Sequence, residues 1–90
     1  MRQTKILTIT NKLGLHARAS AKFVRVCEKF SAEVTVEKDG QIVVGRSLLG
    51  LMMLAAGRGS QINISATGDD AAEVLNSLTE LITNKFGEPE

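Results

Sequence analysis

The sequence predicts an α+β fold, a single domain over residues 1–90 in which three helices cover one face of a four-stranded antiparallel sheet. Three observations carry this reading. Four short segments alternate apolar and polar residues with the period of a half-buried strand, while three others repeat apolar residues every third or fourth position. They follow one another as β-α-β-β-α-β-α, without an internal repeat, linker or low-complexity stretch. The second sheet face, with Thr8, Thr35, Asn63 and Ser65, can meet water, which favours antiparallel pairing.

The first strand is "KILTIT", residues 5–10, with Leu7 and Ile9 on one face and Thr8 and Thr10 on the other. "NKLG" breaks it. A helix then starts at or just after His16 and runs from Ala17 to about Lys29, with Ala19, Phe23, Val26 and Phe30 as its apolar stripe. "AEVTVEKDGQIVV" reads as two strands joined at Asp39-Gly40, a pair that tolerates the positive φ of a tight hairpin. Val34 and Val36 share its inner face. Ser47 opens a short helix of about two turns, "SLLGLMMLAAG", with Gly57 as its stop. "QINISAT" is the fourth strand, with Ile62, Ile64 and Ala66 inward. The last helix is capped by Asp70, has Glu73 three residues on, and carries Val74, Leu75, Leu78, Leu81, Ile82 and Phe86 before stopping at Gly87.

Composition removes several function classes. Ninety residues, 43% of them apolar, suffice for one core but not for a large enclosed cavity, so chemistry belongs at the surface. Eleven Lys and Arg against ten Asp and Glu leave a net charge of +1, no field for nucleic acid or anionic lipid. The three aromatic residues are all Phe, too few for the stacking platform of an RNA-binding domain. The apolar run "LLGLMMLAAG" is about half the ~20 residues that span a bilayer, so it serves core, interface or both. Cys27 is the one cysteine, a small buried hydrophobe beside Phe23 and Phe30. The start "MRQTKILTIT" lacks the apolar run of ~7–15 residues of a secretory signal, and the chain reads as cytoplasmic.

The single histidine, His16, lies in "NKLGLHARAS" where a loop becomes a helix. A metal site needs three or four ligands, and one His with a Cys three helical turns away does not supply them; no cofactor is implied. No nucleophile elbow supports a hydrolase. A plain helix cap or surface position is the simplest alternative. Against it stands the helix N-terminus, whose free N–H groups near residues 17–19 stabilise an anion by ~0.3–1 kcal/mol at an exposed site. Arg18 adds a guanidinium fork suited to phosphoryl oxygens, and Gly14 lets the loop bring backbone close. Neutral imidazole is itself a nucleophile near pH 7.

"GLHARAS", followed at the right spacing by "GRSLLGLMMLAAGRGS", resembles the HPr family of the phosphoenolpyruvate-dependent phosphotransferase system, nitrogen-branch relatives included, over Leu7–Phe86. The resemblance implies the open-faced β-sandwich and its strand order. It implies a phosphocarrier rather than an enzyme: His16 accepts a phosphoryl group on Nδ1 from phosphorylated enzyme I and hands it to an enzyme IIA protein or domain, with Arg18 stabilising it. The family motif commonly continues with proline where this chain has Ala19.

A two-turn helix cannot bury Leu48, Leu49, Leu51, Met52, Met53 and Leu54 together. Leu48, Leu49 and Met52 are therefore expected in a docking surface with Ala17, ringed by Arg18, Lys22, Arg25 and Arg46, and Leu51 and Leu54 in the core. Ser47 caps the helix. "RSLLG" also resembles the serine modified by HPr kinase/phosphorylase, which would place a dianion inside the docking patch. A regulatory binding module acting mainly through phospho-Ser47 is the alternative from another class. A monomer is expected.

Overall fold

Alternation along the strands sets which side of the sheet becomes core. In the computed structural model, which describes residues 1–90, β1 is Arg2–Thr8, β2 Glu33–Lys38, β3 Gln41–Val44 and β4 Gln61–Thr67. They form one antiparallel sheet in the order β1-β4-β2-β3. Val36 stands opposite both Ile64 and Val43, so one face gathers Val34, Val36, Ile62, Ile64 and Ala66, all buried. The helices α1 (Ala17–Glu28), α2 (Leu48–Met53) and α3 (Ala71–Thr83) cover that face.

The hairpin closes where expected. Asp39 and Gly40 take φ of 52° and 85°, the two left-handed positions of a tight two-residue turn, and the Gly40 N–H donates to the Glu37 carboxylate at 2.7 Å.

Several boundaries differ from the sequence reading. β1 begins at Arg2 because its pairing with β4 runs from Arg2 opposite Thr67 to Thr8 opposite Gln61. Ile9 lies just past the ladder but stays buried, exchanging backbone hydrogen bonds with Gly59 and Ser60. The buried stripe of α1 is Ala19, Ser20, Phe23 and Cys27, whereas Val26 and Phe30 are half-buried. The α2 helix has six residues, and Ala55 rather than Gly57 takes the left-handed φ, 51°, that ends it.

Two capping expectations fail for reasons of tertiary geometry. Asp70 sits at the N-cap of α3 but its side chain makes no capping bond. Its two oxygens instead accept the N–H groups of Ser31 and Ala32, each at 2.8 Å, tying the loop after α1 to α3. At the other end α3 stops at Thr83, and Lys85 and Phe86 take positive φ of 55° and 56° within a 3-10 turn over Lys85–Gly87. Such φ values cost roughly 1–3 kcal/mol each in a non-glycine residue. Complete burial of the Phe86 ring offsets that cost.

The open face is less polar than expected. Thr8, Thr35, Asn63 and Ser65 lie on it, but so do Ile6, Ile42 and Val44, each more than half exposed.

Candidate functional site

His16 is the N-cap residue of α1, in extended backbone at φ −75° and ψ −179°, and its side chain makes no capping hydrogen bond. Its carbonyl accepts the Ser20 N–H at 2.9 Å. The N–H groups of Ala17, Arg18 and Ala19 come before that first bond and have no backbone acceptor. Ala19 is fully buried and the first turn is regular without a proline, so the third of these N–H groups is one that proline would lack.

The loop that delivers His16 is held from two sides. Gly14 has φ +65°, and a Cβ there would lie 2.3 Å from the Ala56 carbonyl oxygen; the Leu15 N–H donates to that same oxygen at 2.9 Å. The loop after α2 is thus its backstop. On the inner side Asn11 is fully buried, and its Nδ2 donates to the Gly14 carbonyl at 2.9 Å and to Glu88 Oε1 at 3.0 Å. The Ser20 hydroxyl donates to the Leu15 carbonyl at 3.1 Å.

Glu88 completes the site. Its Oε2 meets the His16 imidazole at Nε2, and the two side chains are 10% and 25% exposed. Burial pushes the Glu88 carboxyl up, yet hydrogen bonds from Asn11 and His16, with the charges of His16 and Arg18, outweigh burial and hold it below its ordinary 4.5. A carboxyl lowered on folding stabilises the fold above its unfolded value, and that contribution is lost as pH falls through the folded value.

Arg18 is exposed and belongs to none of the three ion pairs, Lys12–Glu90, His16–Glu88 and Lys38–Asp39. Ala17 and Arg25 are exposed as well. Lys22 is half-buried and its Nζ donates to the Phe86 carbonyl at 2.5 Å. Arg46 lies at the far end of α1 from His16, where its Nη2 donates to the Phe30 carbonyl at 2.6 Å.

On α2, Leu48, Leu49, Met52 and Met53 are 43%, 68%, 41% and 61% exposed, while Leu51 and Leu54 are buried. Ser47 caps the helix, its Oγ accepting the Gly50 N–H at 3.0 Å. Cys27 is buried, and burial, partly countered by Arg46, pushes its thiol up to about 11, which leaves it without nucleophilic thiolate at neutral pH. No three His, Cys, Asp or Glu side chains gather into a cluster that could hold a metal ion. No helix is long and apolar enough to cross a membrane.

Residues 3–84 match the family model described as "PTS HPr component phosphorylation site". The chain belongs to the HPr family. It is 50% identical over 84 residues to the phosphocarrier protein HPr of Neisseria meningitidis serogroup A, covering 93% of this chain and 94% of that one. It is 40% identical over 82 residues to the phosphocarrier protein NPr of Shewanella violacea, with 91% and 90% covered. Among solved structures, HPr-C-His from Thermoanaerobacter tengcongensis superimposes with a TM-score of 0.94 at 42% identity, over 98% of this chain and 99% of that one. The HPr family supplies phosphocarriers to the phosphotransferase system, and this chain is one of them. The four-stranded open sheet with three helices is the HPr fold. Enzyme I and IIA proteins are the partners that HPr membership implies.

Sequence reasoning singled out His16 and Arg18 but not Asn11 and Glu88, which the fold brings against the His16 loop and ring. Each lies outside any helix or strand, and nothing local ties position 88 to position 16.

Proposed function

We propose that His16 is the residue that carries the phosphoryl group, accepted from phosphorylated enzyme I and passed to an enzyme IIA protein or domain. One observation carries this reading: the imidazole stands at a helix N-terminus whose first three N–H groups lack backbone acceptors, beside an unpaired Arg18. A phosphoryl group on that ring meets free donors and a guanidinium, which is positioning and charge neutralisation rather than covalent chemistry by the protein. The chain is then a protein substrate on both sides of the transfer, without turnover of its own, and residues 1–90 act as one carrier unit. Higher identity to an HPr than to an NPr favours the sugar branch.

The test is incubation with phosphoenolpyruvate and purified enzyme I of each branch. Acid-labile phosphate is expected on the wild type and none on His16→Ala. Label that persists on His16→Ala removes the assignment.

Docking uses Ala17, Lys22, Arg25, Leu48, Leu49 and Met52, since exposed leucine and methionine on a short helix beside α1 suit a surface that accepts more than one partner. The core closes within one copy, which supports a monomer, and the phosphotransferase partners proposed for it are the support for a cytoplasmic location. Sedimentation at the concentrations of the transfer assay is expected to give the mass of one copy, and a dimer there overturns this reading.

Ser47 is proposed as a second, regulatory phosphorylation site for HPr kinase/phosphorylase. Its hydroxyl already caps α2, so a phosphate there suits the helix end while adding charge beside Leu48 and Leu49. With that kinase and ATP, acid-stable phosphate is expected on the wild type and not on Ser47→Ala, and the modified protein should accept phosphoryl groups from enzyme I more slowly at an unchanged melting temperature. Equal rates for modified and unmodified protein would leave Ser47 a cap only.

A further inference from the structure

The geometry points to Glu88 as a positioning residue for the transfer: its carboxylate holds the proton of His16 on Nε2 and leaves Nδ1 as the nitrogen with the free electron pair. This rests on the carrier role proposed for His16. An ionised carboxylate only accepts hydrogen bonds, so the ring nitrogen that meets Glu88 Oε2 must be the one that bears the proton. Nδ1 has no hydrogen-bond partner within the chain.

Glu88 is itself fixed at every reach. Asn11 Nδ2 donates to its other oxygen at 3.0 Å, and its own N–H donates to the Lys85 carbonyl at 3.0 Å. The segment on either side is tied to the loop and helix that carry His16: Lys22 Nζ to the Phe86 carbonyl at 2.5 Å, and the Lys12 N–H to the Glu90 carbonyl at 3.0 Å. The buried Phe86 ring, reached through two left-handed residues, anchors the run. The titratable or charged groups facing the carboxylate are His16 and Arg18; Lys12 pairs with Glu90 at 3.9 Å.

The step balances without any proton leaving the site. The Nδ1 electron pair forms the N–P bond as the bond from phosphorus to the donor breaks, and that pair returns to the donor atom. The ring becomes a phosphorylated imidazolium whose Nε2–H still donates to the Glu88 carboxylate, which offsets its charge. When an acceptor attacks phosphorus, the N–P pair returns to Nδ1 and the ring leaves as neutral imidazole. Orientation of imidazole by a carboxylate through the far nitrogen is a general device of histidine chemistry.

With this protein as the varied substrate of phosphorylated enzyme I, Glu88→Ala is expected to lower kcat about tenfold, the loss of one charge-assisted hydrogen bond, with KM within about twofold. Glu88→Gln, which keeps an acceptor but not the charge, falls between. Glu90→Ala matches the wild type. In the unphosphorylated wild type, an Nε2-bound proton should be visible by nitrogen-edited NMR and should vanish by exchange in Glu88→Ala, while melting confirms that each variant is folded. An unchanged kcat, or an effect on KM alone, overturns the proposal; a raised kcat overturns it too, and makes Glu88 a shield over the ring. A wild type that takes no phosphoryl group defeats the carrier role instead, and absence of the Nε2–H signal from wild type then overturns the contact as well.

Discussion

Gly14→Ala is expected to destabilise the fold by about 3 kcal/mol or more, read as a lowered urea midpoint at unchanged m-value. Two costs add. The residue holds φ at +65°, where a side chain strains the backbone, and the new Cβ would lie 2.3 Å from the Ala56 carbonyl oxygen and 2.7 Å from the Gly57 Cα. Both neighbours are backbone, and the same Ala56 oxygen already accepts the Leu15 N–H at 2.9 Å, so neither can swing aside like the end of a side chain. Relief requires the loop of residues 11–15 to part from the loop after α2, which carries His16 off its helix end. Phosphoryl acceptance should fall with stability. Gly57→Ala meets open space and is the control, expected within about 0.5 kcal/mol of wild type. A Gly14→Ala protein as stable as that control would show that the close approach carries no energy.

Asn11→Asp is expected to cost about 3–5 kcal/mol at neutral pH, although it only exchanges one amide nitrogen for an oxygen. Asn11 is fully buried and both of its side-chain donor bonds, to the Gly14 carbonyl and to Glu88 Oε1, would be lost. In their place a carboxylate would face another carboxylate about 3 Å away. The sign of the pH dependence follows. The new carboxyl is raised on folding, so the penalty is present at neutral pH and fades as pH falls through the folded value toward ~3.9. In the wild type Glu88 is lowered, with Asn11 the first cause of the lowering, so the wild type keeps the Glu88 contribution to lower pH. Stability of the variant relative to wild type should therefore recover as pH falls from the raised folded value of the new carboxyl toward ~3.9, as followed by unfolding at a series of pH values. A penalty independent of pH would exclude repulsion at this pair and leave the lost donors as its cause.

Features that depend on neighbours in the chain were legible: the Asp39-Gly40 turn, the Ser47 cap, the buried valines and isoleucines of the sheet, and His16 at the start of a helix. Periodicity and turn chemistry report local relations, and these are local. Asp70 shows the limit, because as a cap it reads the same from sequence whether its oxygens meet its own helix or the Ser31 and Ala32 amides across the fold. Ala55 shows another, since Gly57 was the better residue for a helix stop and the fold places the left-handed turn two positions earlier. Glu88 and Asn11 lie 77 residues apart and Glu88 and His16 lie 72 apart, distances over which no spacing rule operates. His16 could be located from the motif, whereas what holds its ring could not.

The sheet order also bears on when the protein becomes competent during folding. The β2–β3 hairpin joins near neighbours and can close early, but β1 must wait for β4, and residues 11–16 must wait both for Ala56 and for Glu88. The entropy of closing these long loops must be met before their contacts stabilise anything, so His16 acquires its full surroundings only once Ala56 and Glu88 are in place. A partly folded chain displays the histidine without that setting, so the order of these closures decides when the ring is held as it is in the finished fold.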